Sequence, residues 1–278
     1  MKFLLRAFCL AALLAAATLA RADIDRPAAE SLVRKSGIWE QVGNLAPQVE
    51  AEVLQGFAQA GVEPADSEKA RIARAVETAY APERLRDKCT AVVAEELEAR
   101  HLEALQRWFD SPDGQAITRA EEASSQGEDD PRAAMQEGMA LLRQMPAARR
   151  KLLQNLMAAT RAAEAMVQLS IGTAIAVQIG AASAQPGAPA PSADQLKDML
   201  ETQRPEMVEA SAAITLALFA RTYATVPAER LRRYLSFVRT PAGTRFNDVS
   251  FDAVDAALTD AAREMGRRLP GTRDSNNI

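Results

Sequence analysis

The sequence predicts an all-α protein, a helical bundle or helical-repeat architecture without a sheet. Of its 278 residues 58 are alanine, and Leu, Glu, Gln, Arg and Met are plentiful, so the composition leans towards the strongest helix formers. Aromatic residues make up only 5%, and no run of alternating β-branched residues marks a strand. Prolines open one apolar-periodic segment after another, at the first helical turn where the chain has no donor to lose.

The elements follow in order. Asp25-Arg26-Pro27 opens a first helix carrying Leu32 and Val33, and Trp39, Val42 and Leu45 continue an apolar face at helical spacing. A segment from Val49 to Ala60 stops at Gly61, and Asp66-Ser67 starts the next through Ile72 and Val76. Pro82 begins one long helix reaching Phe109; Ser111-Pro112 begins a short one that runs into the polar loop 123–131. Helices resume after Pro131 and after Pro146, the second passing through the apolar stretch 166–182. The Pro/Ala-rich stretch 185–192 reads as a loop, and Ser192 with Gln195 has capping-box spacing. Segments from Pro205 to Tyr223 and from Pro227 to a second corner precede a final helix past Phe246, Phe251, Val254 and Leu258. The tail, 269–278, reads as disordered.

The first 22 residues have the pattern of a signal peptide. Lys2 and Arg6 precede an apolar run, Leu10 to Ala20, and Ala20-Arg21-Ala22 is an A-x-A site. The run is too short to span a bilayer. Cleavage after Ala22 and a periplasmic location are the expectation. Cleavage would remove three of the 33 basic side chains and no acidic one, leaving 30 against 37 and a net charge of −7. An acidic exported chain without a basic stripe is a poor match for a nucleic-acid backbone. Only Cys89 would remain, so no internal disulfide can form, and a buried apolar role is expected for it.

Two stretches spell one corner. Before the first, Leu102, Leu105 and Trp108 recur at helical spacing; Phe109 follows, then Ser111, Pro112 and Gly114. Leu231, Tyr234, Phe237, Thr240, Pro241 and Gly243 repeat the pattern 129 residues later. Ser or Thr is a good N-cap, Pro suits N1, and Gly at N3 leaves room for a passing element, with the aromatic buried beneath. A second register, residues 32–45 on 156–169 at an offset of 124, aligns Leu32 with Leu156, Glu40 with Glu164 and Leu45 with Leu169. Together they predict an internal repeat of two helical units, 24–130 and 146–268.

The corner resembles the YxxFYxSPxGxK signature of an uncharacterised family of exported bacterial all-helical domains. Tyr234, Phe237, Thr240, Pro241 and Gly243 carry the likeness in the second copy; Val238 stands where the family has Tyr, and Thr244-Arg245 stands at its basic end. The first copy keeps Trp108, Phe109, Ser111, Pro112 and Gly114, with Leu105 in place of the leading Tyr. The resemblance implies a helical periplasmic domain and supplies no catalytic residue.

His101 is the only histidine. Glu98-x-x-His101 has the spacing of carboxylate-bridged di-iron bundles, but one pair cannot complete such a site in one chain. An exposed histidine on a charged helix is the expectation, with no metal and no cofactor. No phosphate loop or nucleophile elbow occurs. In the 166–182 stretch Met166, Leu169, Ile171, Ile175 and Ile179 form a candidate surface for an apolar ligand or partner, beside the small residues Gly172, Ala176 and Gly180. Burial as a central core helix is the main reading; groove lining and membrane association are the others. These features point to a non-enzymatic interaction or accessory protein of the cell envelope, monomeric or homodimeric and not an integral membrane protein. The alternative is a carrier of a lipid-like molecule lined by Met157, Met166, Met199 and Met207.

Overall fold

The computed structural model describes residues 23–125, 131–183 and 192–269. Residues 1–22, read above as a signal peptide, residues 185–191 of the Pro/Ala-rich loop and the tail from Pro270 lie outside them. Fourteen α-helices are described: α1 (Arg26–Lys35), α2 (Ile38–Gly43), α3 (Ala46–Gln59), α4 (Asp66–Ala79), α5 (Pro82–Glu96), α6 (Leu102–Phe109), α7 (Pro112–Ser125), α8 (Pro131–Gln144), α9 (Ala147–Ala159), α10 (Ala162–Ser183), α11 (Ala193–Glu201), α12 (Arg204–Thr222), α13 (Ala228–Val238) and α14 (Pro241–Arg268). No sheet forms among the described residues; one antiparallel bridge joins Asp23 to Glu98. The fold is all-α.

Local chemistry sets many helix starts. The Asp25 carboxylate accepts from Ala28 N at 2.8 Å. Ser192 Oγ accepts from Gln195 N at 3.2 Å while Gln195 Oε1 accepts from Ser192 N at 2.9 Å, a complete capping box. Prolines occupy the first turn of α1, α3, α5, α12 and α14.

Two expected long helices are broken. The 83–109 segment ends as α5 at Glu96, passes extended through Leu97, and resumes through a 3₁₀ turn at Ala99–His101. Neither Pro nor Gly lies there. Leu97 is fully buried, Glu98 bridges to Asp23, and Arg245 Nη2 donates to the end carbonyl of Glu96 at 2.8 Å. Tertiary contacts end this helix by drawing Leu97 into the core and satisfying the carbonyl it leaves open. The segment after Pro146 breaks at Arg161, whose φ of 53° is left-handed. The turn after α1 is built alike: Gly37 has φ 82°, Ser36 N donates to Leu32 O at 2.9 Å, and Thr160 N donates to Leu156 O at 2.9 Å. A left-handed arginine costs about 1 kcal/mol that glycine would not. Its ion pair to Asp248 (3.1 Å) is too exposed to offset much of this. Arg161→Gly is therefore expected to raise stability by about 0.5 kcal/mol in urea melts. A lower urea midpoint would contradict that.

The core has two clusters. The larger joins α1–α6 to α10, α11 and α14; the smaller joins α7 to α9, α12 and α13, ringed by half-buried α8 residues. Each therefore draws on both sides of the 126–130 stretch. An alanine stripe on α14, Ala253, Ala257 and Ala261, lets it lie close along α5, where Cys89 Sγ reaches Ala253 O at 3.6 Å. Cys89 is fully buried and its thiol is pushed up to about 12 by burial, which makes it an inert core residue. Val167, Ile171, Ile175, Ala176 and Ile179 of α10 lie in the larger cluster, where α10 packs along α3.

Candidate functional site

The two corners meet. Trp108, at the end of α6, stacks on Phe237 of α13 with ring centroids 4.4 Å apart and planes 8° from parallel. Tyr234 stacks on the same indole at 5.7 Å. Phe109 sets its edge against Phe237 at 6.2 Å and against Phe246 at 5.4 Å. Phe109 is the buried member; Trp108 and Phe237 are half-buried, which corrects the expectation of aromatics wholly covered by the corner. Both touch the two core clusters and so tie them together.

Each corner closes on the same bonds. Ser111 Oγ accepts from Gly114 N at 3.0 Å and donates to Trp108 O at 2.6 Å. Thr240 Oγ1 accepts from Gly243 N at 3.0 Å and donates to Phe237 O at 2.7 Å. A β-carbon on Gly114 would stand 2.1 Å from Trp108 O, and one on Gly243 2.2 Å from Phe237 O. What passes close is thus the last turn of the preceding helix, not a separate element. Pro112 and Pro241 begin α7 and α14. Thr240→Ala is expected to cost about 1 kcal/mol, read as a lower urea midpoint, through the lost cap.

Polar groups line the junction between α7 and the helices α12 and α13. Asp113, in the first turn of α7, takes Arg230 Nε at 2.9 Å and both Arg233 nitrogens at 2.5 and 2.9 Å. Those guanidinium hydrogen bonds hold its carboxyl down at about 2. Two turns further along α7, Glu121 accepts from the Tyr223 hydroxyl at 2.6 Å. Burial pushes that carboxyl up to about 7. Sequence reading missed Asp113, Glu121, Tyr223 and the two arginines. The available signal was scarcity: Tyr223 and Tyr234 are two of only three tyrosines in the chain.

The other sequence candidates sit apart from this junction. The side chain of Leu169 lies outside the described residues. Ile171, Ile175 and Ile179 are buried, and Met166 is half-buried. Gly172 is no close-approach site, since its nearest prospective β-carbon contact is Leu258 Cδ1 at 3.8 Å. Nor do these residues line the groove of about 410 Å³ that opens at the α3–α4 turn between Leu54, Ala58, Val62, Pro64 and Lys69. Met199 is exposed, while Met157 and Met207 are half-buried. At the edge of α10, Lys197 Nζ pairs with Asp255 at 2.8 Å and donates to Thr259 Oγ1 at 3.0 Å. Gln168 donates to the same Asp255 and accepts from Arg204, which pairs with Glu201.

No known protein family, curated protein or solved structure matches this chain.

His101 corrects its expectation. It is buried, and the break at Leu97 places Glu98 ahead of the 3₁₀ turn, so the two do not share a helix face. Glu98 instead pairs with Arg100 at 2.6 Å. Among the described residues no group of three His, Cys, Asp or Glu side chains could hold a metal ion. One described helix, over Ala162–Ile179, is long and apolar enough to cross a membrane, and half of that window is buried inside the fold.

Proposed function

We propose that this chain is an exported, non-enzymatic accessory protein of the cell envelope, built by duplication of one helical unit and acting by binding another envelope protein. The face-to-face meeting of the two corners carries the duplication. Trp108 and Phe237 are equivalent in the 129-residue register, and like positions touch in pairs where two copies are related by a two-fold. Other pairs support the same relation. α1 packs on α5 and α6 as α9 packs on α12 and α13. α3 packs on α10, its own counterpart in the 124-residue register. α14 covers α5 as α7 and α8 in succession cover α12.

Export rests on the Lys2–Ala22 pattern, and the likeness of the corners to exported helical domains agrees with it. Binding in preference to turnover is supported by how the polar side chains are used. Asp113, Asp255 and Lys197 are committed to partners within the fold. Burial of the α10 isoleucines favours a core role for that helix over a carrier lining or a membrane anchor.

Native mass spectrometry of protein exported to a periplasm and gently purified tests this reading. The expected result is a chain beginning at Asp23, as monomer or homodimer, with no retained small molecule. A reproducible excess mass released on denaturation would replace it with the carrier of an apolar molecule. A turnover abolished by changing one acidic residue would overturn the non-enzymatic assignment.

A further inference from the structure

We propose that Asp23 and Ile24 form a detachable strap that sets the joint between α5 and α6. Strapped, the joint is bent and holds His101 in the core. Released, Leu97 to His101 wind on as a further turn of α5 and bring His101 onto the charged face of Glu98. The segment has every local reason to be helix. Residues 94–103 contain no Gly, no Pro and no β-branched side chain, and in an unbroken helix Glu96 and Arg100 would stand as an i,i+4 pair. Yet Leu97 is extended, with φ −87° and ψ 118°, and Glu98 follows at φ −73° and ψ 137°. The segment just before α1 holds that turn. Asp23 pairs with Glu98 in the one antiparallel bridge among the described residues, and Ile24 behind it is buried, 6% exposed, in the larger core cluster. Asp25 then caps α1, so the strap leads straight into a fixed helix.

The other half of the molecule makes the same joint by different means. In the 129-residue register Leu97 corresponds to Val226, Glu98 to Pro227 and Ala99 to Ala228. Val226 is buried as Leu97 is, and α13 begins at Ala228 as the 3₁₀ turn begins at Ala99. Pro227 has φ −59° and ψ 143°, close to the conformation of Glu98. An arginine seals the open carbonyls at both joints. Arg149 donates to Tyr223 O at 2.6 Å and to Val226 O at 2.9 Å; Arg245 donates to Glu96 O at 2.8 Å. The difference is the lock. A proline ring fixes φ and interrupts the helix covalently. A glutamate does neither, and the bridge to Asp23 stands in for the ring. A contact made by the end of a chain can open without unfolding the rest. One joint is therefore permanent and the other conditional.

The condition is where the chain is cut. A cut before Asp23 keeps the strap; a cut after Ile24 removes it. The inference rests on the export reading above only in making Asp23 the first residue of the mature chain.

The test compares mature chains prepared to begin at Asp23 and at Asp25, without a histidine tag, so that His101 is the one imidazole and Cys89 the one thiol. Diethyl pyrocarbonate reads the exposure of His101. A disulfide-exchange reagent reads Cys89, which is fully buried where α5 meets α14 and opens only with the core. Without denaturant, His101 is expected to react about tenfold faster in the chain beginning at Asp25, with Cys89 unchanged. Adding Glu98→Pro to that chain should restore the slow reaction, because Glu98 already has a φ that proline adopts and Leu97 before it is extended. In the longer chain Glu98→Pro should leave the His101 rate as it was. Equal His101 rates in the two chains overturn the proposal. So does acceleration of His101 and Cys89 together, which would be loosening of the whole core, and so does a shortened chain that Glu98→Pro fails to rescue. Should the chain beginning at Asp25 not fold, Glu98→Pro is expected to return it to a folded state, and its failure to do so overturns the proposal. A natural first residue other than Asp23 would count against the export reading and leave these comparisons as they stand.

Discussion

Gly243→Ala is expected to destabilise the protein by about 3 kcal/mol, the upper range for forced overpacking. The added methyl would lie 2.2 Å from the Phe237 carbonyl oxygen and 2.8 Å from Val238 Cα. Both are backbone atoms, so no side chain can swing aside. The corner must open instead, and opening it stretches the Thr240–Gly243 cap and slides α14 along α5. Gly114→Ala should behave alike at the first corner, where the clash is with Trp108 O at 2.1 Å. Gly172→Ala supplies the contrast. It lies inside α10 with no neighbour nearer than 3.8 Å, and helix propensity there should add about 0.5 to 1 kcal/mol. Urea denaturation of the three variants reads the prediction directly. A Gly243→Ala protein as stable as the parent would mean that the corner is not the rigid joint described.

The second large effect belongs to the stacked aromatics. Trp108→Ala should cost about 3 kcal/mol, the low end for a large aromatic because the ring is half-buried. Phe237→Ala should cost about 2 to 3 kcal/mol. The informative quantity is the double variant. Rings 4.4 Å apart and nearly parallel share a coupling of about 1 kcal/mol. The two losses should therefore sum to more than the double variant shows. Strict additivity in a double-mutant cycle would mean that each ring acts on its own cluster and that the corners are neighbours without being joined.

The corners were legible because their chemistry is local. Ser111 and Thr240 cap amides three residues away, and the Ser192–Gln195 box closes within the same span. The helix breaks at Leu97 and Arg161 were not legible, for different reasons. Leu97 leaves its helix because Asp23 and Arg245, remote in sequence, hold that turn open. Arg161 takes a left-handed conformation that its side chain does not advertise, whereas Gly37 at the matching turn does. His101 was misread through the same missing break: an unbroken helix would have put it on a charged face, and the 3₁₀ turn puts it in the core. The α10 isoleucines show the limit of periodicity. Their spacing fixes one stripe, but whether α3 or a ligand covers it depends on where α3 comes to lie. The Glu121 cluster draws on α7, α12 and α13, and no spacing rule spans such separations.

The interleaving of the core has a consequence for how the chain comes to be folded. Leu32, Leu85, Val93 and Leu97 share one cluster with Phe246, Val249 and Met265 of the last helix. Until α14 is synthesised, the alanine stripe that covers α5 does not exist, and the first half presents an open apolar face. Such long-range closure slows folding relative to a bundle of sequential neighbours. A nascent chain therefore stays pliable and protease-sensitive to nearly its last turn. Truncations that remove even part of α14 should be lost from cells as degraded material and not recovered as shorter, active protein.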